Sequence, residues 1–543
     1  MRIGIDVGGT HTDAVLLNTD EVVSSIKALT TADVTSGILV ALEHLISDSG
    51  VAESAIEAVM LGTTQFTNAV VERRQLSEVA AIRIGLPSGE GLPPMIGWPQ
   101  DIAAALGGHT YMLHGGTLYD GRPLAPLQQP EIDAVIADIK AKGIETVAIS
   151  AAFSPMTAEP ELELARQLEV AIPGIRITCS HQIGRLGLLE RENAALLNAA
   201  LLKFADQVVS AFGEALQQRG LNCPFYVSQN DGTLMDAEFV RQFPALTFAS
   251  GPTNSLRGAC KLTGLDNAIV VDIGGTTSDI GILQGGFPRE SNTVIEVGGV
   301  RTNFRMPDIL AIGLGGGSLV TDEGRCIGPE SVGHNLVTEG LAFGGSSLTA
   351  TDLLVAAGKV NLGPNQRSVE LPAATVKNGL KTIQAMLSQG IEKMMPSSDP
   401  MPVVLVGGGA ILVADKLDAA SEMHCPEHSG VANAIGAAIA QIGGEVERLV
   451  SYQEMPREEA IRVMSQEARS IAIDAGADAN TIRIADIEET TISYMAEGST
   501  RLRIKAVGDI GVDNPTQIAI AKALNLGDGV RGAVAGSESI AAW

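Results

Sequence analysis

Residues 269–283 read IVVDIGGTTSDIGIL, and this stretch decides the fold. It opens with an apolar run rich in β-branched residues, which predicts a buried strand. Two glycines and three hydroxyl residues then predict a tight turn before a second apolar run. Glycine lets backbone N–H groups crowd around a bound anion, and Asp272 and Asp279 offer oxygen ligands for a hard cation such as Mg²⁺. The stretch therefore predicts a strand-turn-strand hairpin that cradles phosphate.

The same pattern occurs at the N-terminus, where residues 3–17 read IGIDVGGTHTDAVLL. Asp6 precedes Asp272 by 266 positions, and seven of the fifteen aligned residues are identical. Thr12 also aligns with Ser278, which keeps a hydroxyl group at that position. We interpret the pair as an internal duplication, with one phosphate-cradling hairpin in each half of the chain.

Both glycine turns precede strand-like residues. This argues against a dinucleotide-binding Rossmann motif, in which a helix follows the glycines. No GxxxxGK[ST] motif occurs in the sequence, so a P-loop is excluded. Paired hairpins of this kind resemble the actin/sugar-kinase ATPase superfamily, in which ATP lies between two related lobes. The fold class that this resemblance implies is α/β, with two actin-like, ribonuclease H-like lobes around a nucleotide cleft.

Composition excludes several classes of partner. The net charge of −26 over 543 residues repels nucleic acid and anionic membrane, so we expect neither as a partner. The five cysteines are widely spaced and form no CxxC pair, which favours reduced thiols in the cytoplasm. Asp6 interrupts the first apolar run, so we expect no signal peptide, and no apolar run reaches a membrane-spanning length.

The order of apolar patterns predicts α/β alternation followed by a small α+β appendage. We expect an N-terminal lobe at 1–256, a second ATPase lobe at 257–443 and the appendage at 444–543. Residues 85–129 are rich in glycine and proline and predict irregular structure, with His109 and His114 in an ordinary loop. Helices are expected at 35–49, 131–142, 159–170, 188–217, 458–476 and 521–526.

Several motifs in a fixed order resemble the hydantoinase/oxoprolinase family, the A-type subunits of ATP-dependent cyclic-amide hydrolases, in a short form. The resemblance covers roughly residues 1–443. The motifs are GTTQFTNAVVER at 62–73, SHQ at 180–182, EREN at 190–193, SQNDGT at 228–233, SGP at 250–252, IGLGGGS at 312–318, GPES at 328–331, LTATD at 348–352, VGGGA at 406–410 and GVANAIGAA at 430–438.

The chain departs from the family pattern at some of these motifs. Gln182 stands where the family usually has glutamate, and Asn254 and Ser255 replace the usual glycines. The small residues at 430–438 are expected to let two helices approach closely at the hinge between lobes. The pair His424 and His428 suggests a metal site, but the proline between them and the family position favour a loop.

The resemblance implies roles for particular residues. Asp6 and Asp272 would hold Mg²⁺, directly or through water. Thr63, Thr64, His181 and Asp231 would face the substrate, and these four with the two aspartates are the catalytic candidates. The residues expected to bind ATP are Gly8, Gly9, Thr10, Thr12, Asp13, Gly274, Gly275, Thr276, Thr277, Asp279, Gly315, Gly316, Gly407, Gly408 and Gly409. The competing interpretations are a helix cap at Thr63 and Thr64 and ordinary turns at His181, Asp231, residues 312–318 and the two hairpins.

The implied activity is ATP- and Mg²⁺-dependent activation of a cyclic amide, such as a hydantoin, 5-oxoproline or a lactam. Phosphorylation of the carbonyl oxygen would make an unstrained amide a good electrophile. A separate B-type subunit carries the hydrolytic half in many relatives, so a homo- or hetero-oligomer is expected. Three alternatives stay open: a carboxylase subunit of the acetone/acetophenone type, a small-molecule kinase, and a nucleotide-gated activator. The sequence supplies no bridging cysteines for the last.

Overall fold

The computed structural model describes residues 1–8, 11–19, 21–30, 34–119, 121–291, 294–364, 366–413, 417, 419–492 and 499–511. Gly9, Thr10 and the helix expected at 521–526 lie outside these residues. The strands are β1 (Arg2–Val7), β2 (His11–Asn18), β3 (Glu21–Leu29), β4 (Ala58–Thr63), β5 (Ala80–Leu86), β6 (His109–His114), β7 (Thr146–Ala151), β8 (Arg176–Cys179), β9 (Phe225–Ser228), β10 (Thr233–Asp236), β11 (Ala268–Ile273), β12 (Ser278–Gln284), β13 (Phe287–Pro288), β14 (Ile295–Val297), β15 (Val300–Thr302), β16 (Ile309–Ile312), β17 (Ser318–Thr321), β18 (Cys326–Ser331), β19 (Met401–Val406), β20 (Ala420–His424), β21 (Gln441–Ser451), β22 (Arg483–Thr491) and β23 (Ser499–Gly508).

The α-helices alternate with these strands through most of the chain. They are α1 (Val34–Ser49), α2 (Gln65–Glu72), α3 (Gln100–Ala105), α4 (Gln129–Lys142), α5 (Glu159–Ala171), α6 (Leu188–Gln218), α7 (Ala237–Gln242), α8 (Ser250–Thr263), α9 (Leu336–Glu339), α10 (Ala350–Ala356), α11 (Ala373–Met394), α12 (Ala432–Ala438) and α13 (Arg457–Asp474).

Three sheets organise the molecule. The first has the spatial order β22-β23-β21-β10-β9-β4-β1-β2-β3, and its apolar face packs on α1 and α6. The second runs β13-β12-β11-β19-β20, with β16 added on β12. A small parallel sheet, β6-β5-β7-β8, stands beside the first. The mixed α/β architecture with two related sheets agrees with the predicted fold class.

The duplication is visible in the register of the two hairpins. β1 and β2 are antiparallel and align Asp6 with Asp13, and β11 and β12 align Asp272 with Asp279. The first strand of each hairpin also pairs in parallel with a strand that ends near the hairpin turn, β4 in one lobe and β19 in the other. Each lobe therefore presents two carboxylates at the same place on its sheet.

The C-terminal strands extend the sheet of the N-terminal lobe, whereas composition suggested an appendage after residue 443. β21 starts at Gln441, pairs with β10 through Thr233 and runs through the expected boundary. β23 then pairs with β21 along its length, from Ser451 to Ile442. Pairing between strands more than 200 residues apart leaves no mark in local composition, so the sequence does not show it.

Residues 109–114 correct the expectation of irregular structure. They form β6, which pairs in parallel with β5, so the histidines lie on a strand. His114 Nδ1 lies 2.7 Å from Glu131, and His109 lies 3.7 Å from Glu78. Glycines on both sides of this short segment weakened the strand pattern in the sequence. Pairing with β5 stabilises the segment as a strand.

The helix α6 matches the expected 188–217 to within one residue, but it bears on the expectation that no apolar run is long enough to span a membrane. It is 31 residues long, and by length and composition alone it could cross a membrane. In the structure, 61% of its most apolar 18-residue window is buried, and Leu196, Leu197 and Leu201 are fully inside the core of the first lobe. The core helix of a water-soluble domain passes the same test, so this helix is weak evidence for a span.

Candidate functional site

The two hairpins line one cavity of about 410 Å³ between the lobes. Asp6 and Asp13 come from the first hairpin, and Asp272 and Asp279 come from the second. The predicted site residues that line this cleft are Asp6, Gly8, Asp13, Thr64, Asp272, Gly274, Gly275, Asp279, Gly316, Gly407, Gly408 and Gly409. The two hairpins, 266 positions apart in the sequence, therefore face the same cavity, as the predicted duplication implies.

Some predicted residues support the cleft from behind its wall. The Thr12 hydroxyl lies 3.3 Å from the Thr30 hydroxyl, and Thr63 Oγ1 accepts a hydrogen bond from the Gln65 N–H. Gly315 packs directly against the turn of the second hairpin, where a Cβ would lie 2.6 Å from the Gly275 carbonyl carbon. Thr276 and Thr277 lie in that turn. Neither is among the described residues that line the cavity.

The two central aspartates are held by side chains from α8. Asn254 Nδ2 donates to Asp6 Oδ1 at 3.3 Å, and the Ser255 hydroxyl donates to Asp272 Oδ2 at 2.5 Å. These two residues are the ones that replace the family's usual glycines. The substitution therefore adds a hydrogen-bond donor to each of the paired carboxylates, one in each lobe.

Two further residues of the site were missed by the sequence analysis. Asn433 on α12 donates to Asp6 at 3.0 Å and to Asp13 at 2.9 Å, so it bridges both carboxylates of the first hairpin. Lys27 on β3 donates to both oxygens of Asp13, at 2.7 and 2.9 Å. The side chains of residues 21–29 alternate as they do in a strand. Pairing this strand with the hairpin in the sequence analysis would have placed Lys27 opposite Asp13.

Asp6, Asp272 and Asp279 hold protons more tightly than ordinary aspartates, since the pKa of each is raised. Burial, with Asp13 and Asp272 nearby, raises the pKa of Asp6 to about 6 despite the bonds from Asn254 and Asn433. Burial and the charge of Asp272 raise the pKa of Asp279 to about 7. Burial also raises the pKa of Asp272, which Ser255 and Lys27 partly oppose. Such carboxylates favour a divalent cation, because its positive charge would stabilise their ionised forms.

We expect Asp279→Asn to stabilise the nucleotide-free protein at high pH. The pKa of Asp279 is raised from 3.8 to about 7, so the native state binds the extra proton between these values. Stability therefore falls as pH rises from 3.8 to about 7 and is level above that. An amide has no proton to lose, so the variant should gain about 3 kcal/mol over the wild type at pH 8 and almost nothing near pH 4.

Thermal midpoints measured at pH 5, 6, 7 and 8 without nucleotide or metal would show the gain growing with pH. The matched control is Asp322→Asn, because Asp322 is an exposed aspartate of the same lobe with 63% of its side chain accessible. A stability difference for Asp279→Asn that stays the same at every pH would contradict the raised pKa.

A glycine turn and apolar side chains form another part of the cleft wall. Gly407 has φ +83°, and a Cβ there would lie 2.2 Å from Asp272 Oδ1, so this position requires glycine. Apolar side chains also line the cavity and suit a flat, weakly polar ring. They are Leu336, Phe343, Leu362, Ile411 and Leu412.

Small residues bring α8 and α12 into close contact behind the aspartates. A Cβ at Gly436 would lie 1.8 Å from the Asn254 carbonyl oxygen, and one at Gly258 would lie 1.9 Å from the Ala432 carbonyl oxygen. Backbone contact at this distance fixes Asn254 and Asn433 relative to each other. The close helix approach expected from the 430–438 motif is present, and it positions the donors that hold Asp6.

His181 lies at the carboxyl end of the small parallel sheet, outside the described lining of the cleft. Its Nδ1 lies 2.6 Å from Glu161 Oε2. The ligand atoms of Glu161, Cys179 and His181 lie within 4.8 Å of one another, close enough for a metal. However, Glu161 already accepts bonds from Ser180 and two backbone N–H groups, and burial raises the pKa of Cys179 to about 12. Both facts oppose metal binding there.

Asp231 also lies away from the described lining of the cleft. It pairs with Lys505 of β23 at 2.8 Å and accepts two bonds from Thr233. Burial alone would raise its pKa, but Lys505 and Thr233 outweigh burial and lower the pKa to about 2. The carboxylate thus joins the β9–β10 turn to the C-terminal strands.

We expect Asp231→Asn to destabilise the protein by about 3 kcal/mol, because the change removes the carboxylate that pairs with the buried Lys505 at 2.8 Å. Thermal or urea unfolding would measure this loss, and Asp138→Asn, which weakens the exposed Asp138–Lys142 pair, should lose much less stability. If turnover falls while stability is unchanged, Asp231 acts in catalysis, as the sequence suggested.

The architecture and the shared cleft define a protein of the actin-like ATPase fold class. Family models named hydantoinase/oxoprolinase N-terminal region and hydantoinase/oxoprolinase match residues 2–172 and 191–396. These matches cover more than half of the chain. The chain therefore belongs to the hydantoinase/oxoprolinase family, as the motifs indicated.

Curated relatives include two named enzyme subunits. Caprolactamase subunit alpha from Pseudomonas jessenii is 26% identical over 393 residues, covering 66% of this chain and 54% of that protein. Acetophenone carboxylase gamma subunit from Aromatoleum aromaticum is 24% identical over 405 residues, covering 66% of this chain and 53% of that protein. The chain thus spans about half the length of these relatives.

Solved structures share the fold over nearly the whole chain. The ATP-dependent caprolactamase from Pseudomonas jessenii superposes with a TM-score of 0.72 at 18% identity, covering 95% of this chain and 88% of that one. A nucleotide-free acetone carboxylase superposes with a TM-score of 0.64 at 17% identity, covering 94% and 88%. At these identities the likeness extends to the fold alone.

Proposed function

We propose that this chain is the ATP-dependent subunit of a cyclic-amide hydrolase, which activates a hydantoin, 5-oxoproline or lactam by phosphorylating the carbonyl oxygen. One observation carries the proposal: two duplicated glycine hairpins, each with a pair of carboxylates, face one cleft of about 410 Å³. Family membership and a relative named as a caprolactamase subunit support the choice of substrate class.

The residues of the cleft fit a nucleotide with Mg²⁺. The turn at Gly407 is packed so tightly against Asp272 that a side chain there would fill the space beside the carboxylate. Asp6 and Asp279 supply hard oxygen donors, and burial raises the pKa of each, so a bound cation would stabilise their charged forms. Asp6 and Asp272 would hold the cation. ATP with Mg²⁺ supplies a phosphoryl group and neutralises charge as that group is transferred.

The chain's own residues align and enclose the reactants. The Gly8 and Gly274 N–H groups close the two hairpin turns by donating to the His11 and Thr277 carbonyl oxygens. These turns, with Gly275, would hold phosphate oxygens, and the turn at 407–409 would lie against adenosine. Asn254, Asn433 and Ser255 keep the aspartates in one orientation, which lowers the reorganisation needed at the transition state.

The substrate would sit beside the first lobe, next to Thr64. Thr64 is the N-cap of α2, and its hydroxyl donates to the Val7 carbonyl oxygen at 3.3 Å. Gly251, near the start of α8, lies beside it, since a Cβ there would be 3.8 Å from Thr64 Cγ2. Both helix starts line the cleft, and their backbone N–H groups favour a polarised carbonyl oxygen.

A carboxylase subunit is the second candidate function. An acetophenone carboxylase subunit among the relatives and an acetone carboxylase among the structures favour it. The same cleft residues would then phosphorylate a ketone enolate or bicarbonate. The two functions differ in substrate and in dependence on bicarbonate, and the residues of the cleft serve either one.

A partner subunit is part of the proposal, because both named relatives are subunits. We also propose a cytoplasmic location and assembly into a homo- or hetero-oligomer, as composition and the family resemblance suggested.

An ATPase assay against a panel of cyclic amides tests the proposal, run with and without bicarbonate and with and without a co-expressed B-type subunit. We expect inorganic phosphate release that depends on Mg²⁺ and rises with one cyclic amide, together with the ring-opened acid by mass spectrometry. Turnover that requires bicarbonate and a ketone would favour the carboxylase. A stable phosphate ester seen by phosphorus NMR would identify a kinase and overturn the hydrolase.

A further inference from the structure

We propose that Lys27 contacts the terminal phosphate of a nucleoside triphosphate bound in the cleft. This inference rests on the proposed function, since it assumes that the cleft takes ATP. Among the described residues that line the cleft, Lys27 is the one lysine or arginine, and it stands among four aspartates. Among those described residues, Lys27 is the fixed cation that an entering triphosphate would meet.

The position of Lys27 leaves its ammonium group accessible to the cavity. The side chain is 34% exposed, while its partner Asp13 is 3% exposed. Its Nζ donates to Asp13 and, at 3.1 Å, to the Gly430 carbonyl oxygen. The ammonium can keep Asp13 and exchange the carbonyl for a phosphate oxygen, because a charged acceptor forms the stronger hydrogen bond.

Lys27 also reaches from one lobe to the other. It belongs to β3 of the first lobe, and a Cβ at Gly408 in the 407–409 turn would lie 3.5 Å from Lys27 Cε. Gly430 belongs to the segment that leads into α12. A phosphate bound by Lys27 would therefore be held between the first hairpin and the glycine turn of the second lobe.

The duplication supplies an internal comparison that argues against a purely structural role. In the first lobe, β3 places Lys27 opposite Asp13. In the second lobe, β16 occupies the same side of the hairpin and places Ala311 opposite Asp279. The second lobe therefore holds Asp279 without a lysine at the facing position of β16. The lysine is an addition on one side of the cleft, where it distinguishes the two hairpins electrostatically.

The test compares affinities for ADP and for a β,γ-imido analogue of ATP, measured by calorimetry with Mg²⁺ on the full chain. We expect Lys27→Met to weaken analogue binding by about 10- to 100-fold and ADP binding by less than about 3-fold. Lys142→Met, which removes an exposed lysine of the first lobe, should leave both affinities unchanged.

A double variant separates phosphate contact from simple neutralisation of Asp13. Asp13→Asn combined with Lys27→Met removes both charges, so it restores folding if Lys27→Met alone is unstable. We expect the double variant to keep the loss of preference for the triphosphate. Recovery of that preference, or equal weakening of ADP and analogue in Lys27→Met, would overturn the inference. Failure of the wild type to bind either nucleotide would instead overturn the proposed function.

Discussion

Asp272→Asn should reduce ATP turnover by about 100-fold or more without lowering the stability of the fold. Asp272 lines the cleft from the second hairpin, and the Ser255 hydroxyl holds its Oδ2. An amide has nearly the same shape but lacks the charge needed to bind Mg²⁺, and losing one preorganised electrostatic contact has effects of this size. Phosphate release measured at saturating substrate and Mg²⁺ would report the loss.

Stability measurements decide how the Asp272→Asn result is interpreted. Burial raises the pKa of Asp272, so removing its charge should leave the thermal midpoint of the nucleotide-free protein equal or higher. Asp322→Asn, a surface change in the same lobe, should retain full turnover. Normal turnover in Asp272→Asn would remove the proposed mechanism, because the paired hairpins would then bind no catalytic cation.

Gly436→Ala should destabilise the protein by about 3 kcal/mol and lower ATP turnover as well. The added Cβ would lie 1.8 Å from the Asn254 carbonyl oxygen and 2.6 Å from the carbonyl carbon, and backbone atoms of a helix cannot move aside singly. The α8 and α12 helices must separate, which is an overpacking change of this order. Separation also withdraws Asn254 from Asp6, so the loss extends to the cleft.

Gly213→Ala is the matched control, because Gly213 also lies within a helix but has room for a methyl group. A Cβ there would lie 3.8 Å from Phe225 Cε1, an ordinary contact. Alanine favours a helix interior over glycine, so this variant should gain up to about 1 kcal/mol. Urea midpoints of the two variants should move in opposite directions. A Gly436→Ala protein as stable as the wild type would show that the helices do not meet as described.

Local patterns predicted most of the elements that form the cleft. The two glycine hairpins formed with their aspartates in matching register, because glycine turns and β-branched runs act over a few residues. The helices at 35–49 and 188–217 were placed within one residue of their observed ends, since apolar periodicity is a local signal. The short strand at 109–114 was missed because its partner supplies its stability.

Placement of the other candidates needed contacts across the chain. His181 and Asp231 are polar residues after strands, a pattern typical of active sites, yet their partners Glu161 and Lys505 hold them outside the described cleft lining. Lys27 and Asn433 carry no motif of their own. Only strand pairing and helix crossing bring them to the aspartates of the first hairpin.

The sequence by itself determined the two hairpins, their duplication and the family, because these depend on residue types at short, fixed spacing. Only the tertiary structure decided which carboxylates share a cavity, which donors hold them and that the C-terminal strands extend the first sheet. The reason is physical. Turn chemistry acts between neighbours in the chain, whereas charge pairing, burial and strand addition depend on distances that folding alone sets.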